Sequence, residues 1–446
     1  MNTENTLFER LNNWIKNSVM LKLVTITIIM LLLLIPAEMI KSIISEREEL
    51  SYQAIQEVSL KWAEEQQLNG PILSIPLLYE FEKDDKKVQE TRYFHILPEE
   101  LNINGIIEPT KLKRGIYEVV VYKSEISING WFSLNKKVDQ HNLKRILYDQ
   151  AFLTIGISDL RGIEEQIILL WNNQRIEVEP GTKLSSIIYS GVTVNLPDLS
   201  NDLKRKIDFK LNLNLQGSQN MSFIPLGNVT IVEIKSSWSS PSFNGNFLPD
   251  QREITKDGFT ANWKVLQLNR NFPQSWIDSD QSQNIVNAAF GVDLILPIDD
   301  YQKSMRSAKY AVMTITLTFL IFFLVEILNK RKIHPFQYAL VGLALCIFYI
   351  LLVSISEHSN FTLAYLISTI AIITMISLYS LSVFRVVKLS LILIAMLIGI
   401  YGFLFVTLQL SDYALILGSI GLTLILGATM YFTRNINWYK LNIGND

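Results

Sequence analysis

Leu23–Met39 reads LVTITIIMLLLLIPAEM, seventeen residues with a single formal charge, Glu38. At 1.5 Å per residue, extended by its flanks, this run is long enough for a membrane-spanning helix. A cleaved signal peptide is the other reading. An h-region is usually shorter, and no A-x-A-like site follows Pro36, so an uncleaved anchor over 23–40 is favoured. Before it, Leu7, Phe8, Leu11, Trp14, Ile15 and Val19 recur at helical spacing among polar residues. Residues 1–22 thus form either an amphipathic helix lying on the membrane surface or a water-exposed extension of the anchor.

Outward from this run the composition splits. Of 446 residues 49% are hydrophobic and 18% charged, with a mean hydropathy of +0.23. Residues 41–307 hold 29 Lys/Arg and 35 Asp/Glu, whereas 308–446 hold eight and four. A water-facing domain at 41–307 is therefore joined to a membrane bundle at 308–446. Disorder, collagen-like repeats and a purely soluble enzyme are excluded. The net charge of −2 predicts no nucleic-acid partner. Cys346 is the single cysteine and lies in an apolar run, so neither an intrachain disulfide nor a cysteine zinc site is available.

Five further apolar runs follow, roughly Tyr310–Leu328, Tyr338–Ser356, Phe361–Phe384, Leu389–Leu408 and Tyr413–Phe432, and Glu326 is their one formal charge. Six crossings result. Lys and Arg set the orientation. Arg10, Lys16 and Lys22 precede the first span. Lys330, Arg331 and Lys332, then Arg385 and Lys388, then Arg434 and Lys440 occupy alternate connections, while 356–360 and 409–412 carry none. Both termini are expected in the cytoplasm and the large domain outside it, which in a Gram-negative cell is the periplasm. Arg306 and Lys309, where the chain re-enters the membrane, suit headgroup phosphates.

Within 41–307, a helix is expected to continue from the anchor over 40–65 and to end at Asn69-Gly70-Pro71. Most of the rest alternates as strands do. Lys206–Leu215, KIDFKLNLNL, is the clearest, and YEVVVY at 117–122, AFLTIGIS at 151–158, VTIVEIKSSW at 229–238 and FTANWKVLQL at 259–268 read likewise. Turns are expected at Asn129-Gly130, Glu179-Pro180-Gly181 and Asp257-Gly258, and short helices at Asp139–Tyr148 and Asp159–Glu165. The fold class is a six-helix membrane α-bundle plus a mainly antiparallel, sandwich-like β domain. The domain's length leaves room for two subdomains meeting near 180–205.

The chemistry is sparse. No P-loop, H-E-x-x-H or G-x-S-x-G occurs. His95, His141, His334 and His358 are dispersed, which argues against a histidine-rich metal site, and no cofactor is implied. Three groups are candidates. Glu326, with Lys330, Arg331 and His334, is an ionisable group in a membrane helix, functional by default; it equally suits a structural i,i+4 pair with Lys330 at the cytoplasmic end. Glu357-His358 in the short outer loop is either a pH-sensing pair or ordinary loop polarity. Trp238, Trp263, Arg270, Gln274 and Trp276 form either a carbohydrate or peptide cleft or the cap of a β core. Gly399, Gly402, Gly418, Gly421 and Gly427 suggest close helix packing and a compact bundle.

Five stretches carry a resemblance over nearly the whole chain. They are GPILSIPLLYE at 70–80 after the helix, SSWSSPSFNGNFLP at 236–249, GFTANWKVLQLNRNFPQSW at 258–276, FGVDLILPIDDYQKSMRSAKYAVM at 290–313 and HPFQYALVGLALCIFYILLVSISEHSNFTLAY at 334–365. They resemble the CreD family of bacterial inner-membrane proteins; the last two helices match in hydropathy alone. The resemblance implies a role in cell envelope integrity and envelope stress response, including colicin tolerance and β-lactam response, often under a two-component system. It carries no catalytic residues. The expected partners are the lipid bilayer and a periplasmic, cell-wall or membrane component, with no oligomeric state specified. A non-enzymatic envelope protein is the leading reading, a transporter or flippase using Glu326 the alternative.

Overall fold

The computed structural model describes residues 19–434 except 84–85, 137, 139, 279–280, 296–299, 330–332 and 411–412. Residues 1–18, with the expected amphipathic segment, lie outside the described residues, as do Lys330, Arg331 and Lys440. The chain divides into two compact units, one comprising Tyr52–Pro297 and the other the chain up to Ser51 and from Ile298 onward. Helix α1 (Val19–Trp62) contributes to both and continues through Pro36.

The Tyr52–Pro297 unit is a mainly antiparallel β domain. Its strands in order are β1 (Gln66–Lys83), β2 (Lys86–Ile96), β3 (Glu100–Arg114), β4 (Tyr117–Ser133), β5 (Leu143–Ile146), β6 (Phe152–Ile157), β7 (Ile168–Trp171), β8 (Gln174–Glu177), β9 (Glu179–Pro180), β10 (Gly191–Asn195), β11 (Lys206–Ser218), β12 (Asn220–Phe223), β13 (Val229–Ser236), β14 (Pro241–Gly245), β15 (Gln251–Thr255), β16 (Gly258–Leu266) and β17 (Ser275–Ile277). A short helix α2 (Ser282–Val286) precedes β18 (Phe290–Leu294). One sheet runs β15-β16-β13-β3-β4-β11-β7-β8. The other runs β14-β18-β12-β1-β6-β10-β9, with β2 and β5 also on β1 and β17 on β2. Only the β13–β3 and β1–β12 pairings among these are parallel. Inward side chains of both sheets, such as Ile103, Ile128 and Leu211 of one and Leu73, Leu153 and Val292 of the other, share a single hydrophobic core. That core is continuous, so the domain does not part into two near 180–205.

The alternation read in β11, β13 and β16 is realised; β11 buries Ile207, Phe209, Leu211, Leu213 and Leu215 and turns its intervening residues outward, whereas β6 is buried along its whole length and β4 is buried in succession from Val119 to Tyr122. Four local expectations are corrected. The helix ends at Trp62, and Asn69-Gly70-Pro71 lies within β1, where the register against β6 shifts between Asn69 and Ile72. Gly70 has φ +122°, a conformation that L side chains rarely adopt. Asn129-Gly130 makes no turn: both residues sit inside β4, and a Cβ on Gly130 would lie 2.0 Å from the Glu100 carbonyl oxygen, so this glycine admits a close backbone approach. Strand β5 occupies much of the expected Asp139–Tyr148 helix, and Asp159–Glu165 holds only a 3₁₀ turn at Leu160–Gly162.

The other unit contains α3 (Asp300–Lys309), α4 (Ala311–Leu328), α5 (Pro335–Ser356), α6 (Phe361–Phe384), α7 (Val387–Gln409) and α8 (Ala414–Thr433). Its core joins Leu33, Ala37 and Ile44 of α1 to Phe319 and Phe322 of α4 and to Leu345 and Phe348 of α5. Among the described residues, four helices are long and apolar enough to cross a membrane: α1, α5, α6 and α7. The α3–α4 pair, bent by 44°, is a fifth if it acts as one span, and within α8 Ile416–Tyr431 forms a shorter apolar helix. The structure therefore gives four to five candidate spans where the sequence suggested six.

Candidate functional site

Glu326 lies in the last turn of α4 and is completely buried. It does not snorkel. Lys22 of α1, 304 positions away, donates its ammonium to Oε1 and to the Ile333 carbonyl oxygen at 2.9 Å. The Ile333 amide donates to Oε1 at 2.9 Å, and the buried Tyr338 hydroxyl of α5 donates to Oε2 at 2.9 Å. One carboxylate thus gathers α1, α4, α5 and the segment before α5. Phe319 and Phe322 of α4 pack edge-on against Tyr338 and seal the cluster on its apolar side. A lone buried carboxylate is costly; a cation and two neutral donors offset that cost. Lys330, the partner expected from i,i+4 spacing, lies outside the described residues.

His334 stands apart from this cluster. It is the exposed N-cap of α5, its Nδ1 accepting from the Phe336 amide at 3.2 Å while Gln337 accepts from its own backbone amide. In the outer loop, Glu357 accepts from Tyr301 at 3.4 Å and lies 3.5 Å from Arg47, so it ties α1, α3 and the end of α5. His358 beside it is exposed. The structure does not bring the two together around a shared partner.

The aromatic group of the β domain is also divided. Trp263 is 1% exposed, among Phe243 and Phe290, and donates to the Phe247 carbonyl oxygen at 3.2 Å. Trp238 is partly exposed and donates to Ile295 O at 3.0 Å. Arg270, Gln274 and Trp276 form a separate buried patch. The Arg270 guanidinium stacks 4.2 Å from the Phe272 ring centroid. It donates to Gln274 Oε1 and to the carbonyl oxygens of Leu226 at 3.1 Å and Phe272 at 3.3 Å, and Gln274 donates to Pro98 O at 2.5 Å. Burial pushes the Arg270 pKa down to about 10. Trp276 packs 5.2 Å from the ring of buried His95, which shares a 2.9 Å hydrogen bond with Ser74 Oγ. Burial likewise pushes His95 down to about 4. These residues staple β2, β17 and the loops beside them, so of the two readings, cleft or cap of a β core, their burial agrees with the core.

Two features escaped the sequence reading. Arg161 closes the end of α1, donating to Leu60 O at 2.6 Å and pairing with Asp159, which also accepts from the Glu64 amide at 2.9 Å. The outward face of the eight-stranded sheet forms a shallow polar concavity of about 440 Å³. The bundle glycines also differ from expectation. Gly399, Gly402, Gly418 and Gly427 have nothing within 4 Å of a Cβ position, and only Gly421 of the five meets a neighbour, the Phe403 ring. Gly399 and Gly421 border an open apolar groove of about 330 Å³ lined by α4, α7 and α8. Among the described residues, no group of three or more His, Cys, Asp or Glu is placed to hold a metal ion.

Membrane-length apolar helices and a large, polar-surfaced β domain on one chain define an integral membrane protein with a substantial water-facing domain. Residues 18–439 match the family described as "Inner membrane protein CreD", and this chain belongs to it. It is 34% identical over 419 residues to the inner membrane protein CreD of Escherichia coli (strain K12), covering 93% of this chain and 92% of that one. An inner-membrane location follows.

Proposed function

We propose that this chain is a non-enzymatic protein of envelope maintenance, whose β domain binds a periplasmic, cell-wall or membrane component while its helices anchor it. Six crossings, cytoplasmic termini and a periplasmic β domain follow from the alternation of Lys and Arg between spans. The observation that carries the reading is α1. This single 44-residue helix starts with an apolar, membrane-length half, and its last residues enter the β domain. A folded recognition module is thereby tethered at the membrane. Colicin tolerance and β-lactam response are the expected phenotypes. Deletion of the gene should raise sensitivity to a colicin or a β-lactam, and the full-length chain should reverse it; a deletion with no envelope phenotype would contradict the reading. The second reading, transport or flipping through Glu326, draws on the complete burial of that carboxylate. It requires Glu326→Gln to abolish function while the protein still inserts and accumulates.

A further inference from the structure

The eight-stranded sheet turns one face to the core and one to water. On the outward face a row of side chains falls in register across six adjacent strands. Gln251 lies beside Asn262, Asn262 beside Glu233, Glu233 beside Asn104, Asn104 beside Ser127 and Ser127 beside Asn212. Period-2 alternation explains why these positions are polar. It does not explain why four of the six are amides, since Asn is depleted in strands. Nor does internal bonding explain it. Among the described residues, the side chains of Gln251, Asn262, Asn104, Ser127 and Asn212 make no hydrogen bond within the chain. Glu233 is paired with Lys235 at 2.9 Å. The row crosses the concavity described above, where Asn214, Glu125 and Lys235 complete the polar lining.

The composition selects the occupant. A polyanion needs uncompensated cations, and Lys235, the one cation of the lining, is paired with Glu233 and shares the concavity with Glu125. A protein interface needs buried aromatic or aliphatic anchors, and Ile106 is the one exposed apolar side chain of this lining. Amides offer donors and an acceptor on the same side chain, which suits a ligand whose hydroxyls do the same. Spacing adds to this. Neighbouring strands lie about 4.8 Å apart, close to the advance per sugar of an extended β-1,4-linked chain. A glycan laid across the strands meets one row member per sugar.

We infer that this row binds an extended, uncharged glycan strand bearing hydroxyl and acetamido groups. The inference rests on the reading of the β domain as the recognition module. The test titrates the full-length protein in nanodiscs with the β-1,4-linked hexasaccharide of N-acetylglucosamine, by calorimetry. Saturable binding is expected, weakened about tenfold by N104A/N212A, the scale of losing two exposed hydrogen-bonding side chains. No binding, binding unchanged by the double variant, or equally tight binding of a polyuronate of the same length overturns the glycan assignment. Rescue of a deletion strain separates the two readings. If the hexasaccharide does not bind and N104A/N212A fails to rescue, the glycan falls and the envelope reading stands. If the hexasaccharide binds through the row and N104A/N212A rescues fully, the glycan assignment holds and the envelope reading loses its recognition step.

Discussion

Glu326 and Arg270 both carry charge into the interior, one in each compact unit, and the two are satisfied differently. Glu326 is fully buried and takes a cation, Lys22, from the far end of the sequence. Arg270 is 9% exposed and is held by carbonyl oxygens, an amide and an aromatic ring, with no carboxylate among its hydrogen-bond partners. The contrast follows from donor geometry. A guanidinium spreads its charge over five donors and fits several carbonyls at once. A carboxylate among apolar helices has few donors within reach, since backbone amides there are committed to their helices. It therefore needs an ion partner and the free amide at Ile333. Glu326 is matched on both carboxylate oxygens, whereas the Arg270 patch is matched through the terminal guanidinium nitrogens and leaves Arg270 Nε and Trp276 Nε1 buried without a hydrogen-bond partner among the described residues. The outer sheet is the reverse: the amides and serine of its row are accessible and unmatched, with Glu233 alone paired.

The largest effect should come from breaking the Lys22–Glu326 pair on one side. Lys22→Met leaves the fully buried Glu326 without its cation, and Glu326→Leu takes the carboxylate from Lys22; each should cost about 3 kcal/mol or more, read as a lower melting temperature in detergent. The double variant should recover most of that loss; single losses that simply add would show the two side chains do not act as a pair.

A comparable effect, confined to acid, should appear beside Arg270. Burial holds the folded-state pKa of His95 at about 4, below its ordinary value near 6.5. As pH falls through 6.5 the unfolded chain takes up the proton first. Stability is complete above about 6.5 and is lost toward 4, by about 3 kcal/mol in all. Melting temperatures between pH 7.5 and 4.5 should fall more steeply for the parent chain than for His95→Gln; parallel curves would place the acid sensitivity elsewhere. Smaller again, Arg270→Met removes a buried charge but strands the Leu226 and Phe272 carbonyls, a net loss of about 2 kcal/mol. A larger loss for Arg270→Met than for Glu326→Leu would invert the comparison.

Much of this was legible in the sequence where a pattern is local. The anchor, the four apolar runs of α4–α7 and the alternation of β11 come from hydropathy and period alone. What was hidden depends on distant pairing. Asn129-Gly130 has turn chemistry, yet the flanking strands hold it in the middle of β4. Glu326 stood out as a charge in a membrane helix, but its partner lies 304 positions away, and Lys330 at i+4 was the neighbour that spacing alone could offer. Trp263, Arg270 and Trp276 are close in sequence and read as one group, either a cleft or the cap of a β core; register sends Trp263 into the core and the other two to a separate buried patch. The amide row has no sequence signature, because its six members come from six strands.

The central claim is that recognition resides in the β domain and that the Glu326 cluster is structural. Its most direct test compares Glu326→Gln with N104A/N212A in a deletion strain, scoring β-lactam and colicin sensitivity at matched abundance. Glu326→Gln should accumulate less but restore resistance once its level is matched, whereas N104A/N212A should accumulate normally and fail to restore it. A Glu326→Gln protein that inserts and accumulates fully yet restores nothing, beside an N104A/N212A protein that restores everything, would contradict the account and move the function into the helices.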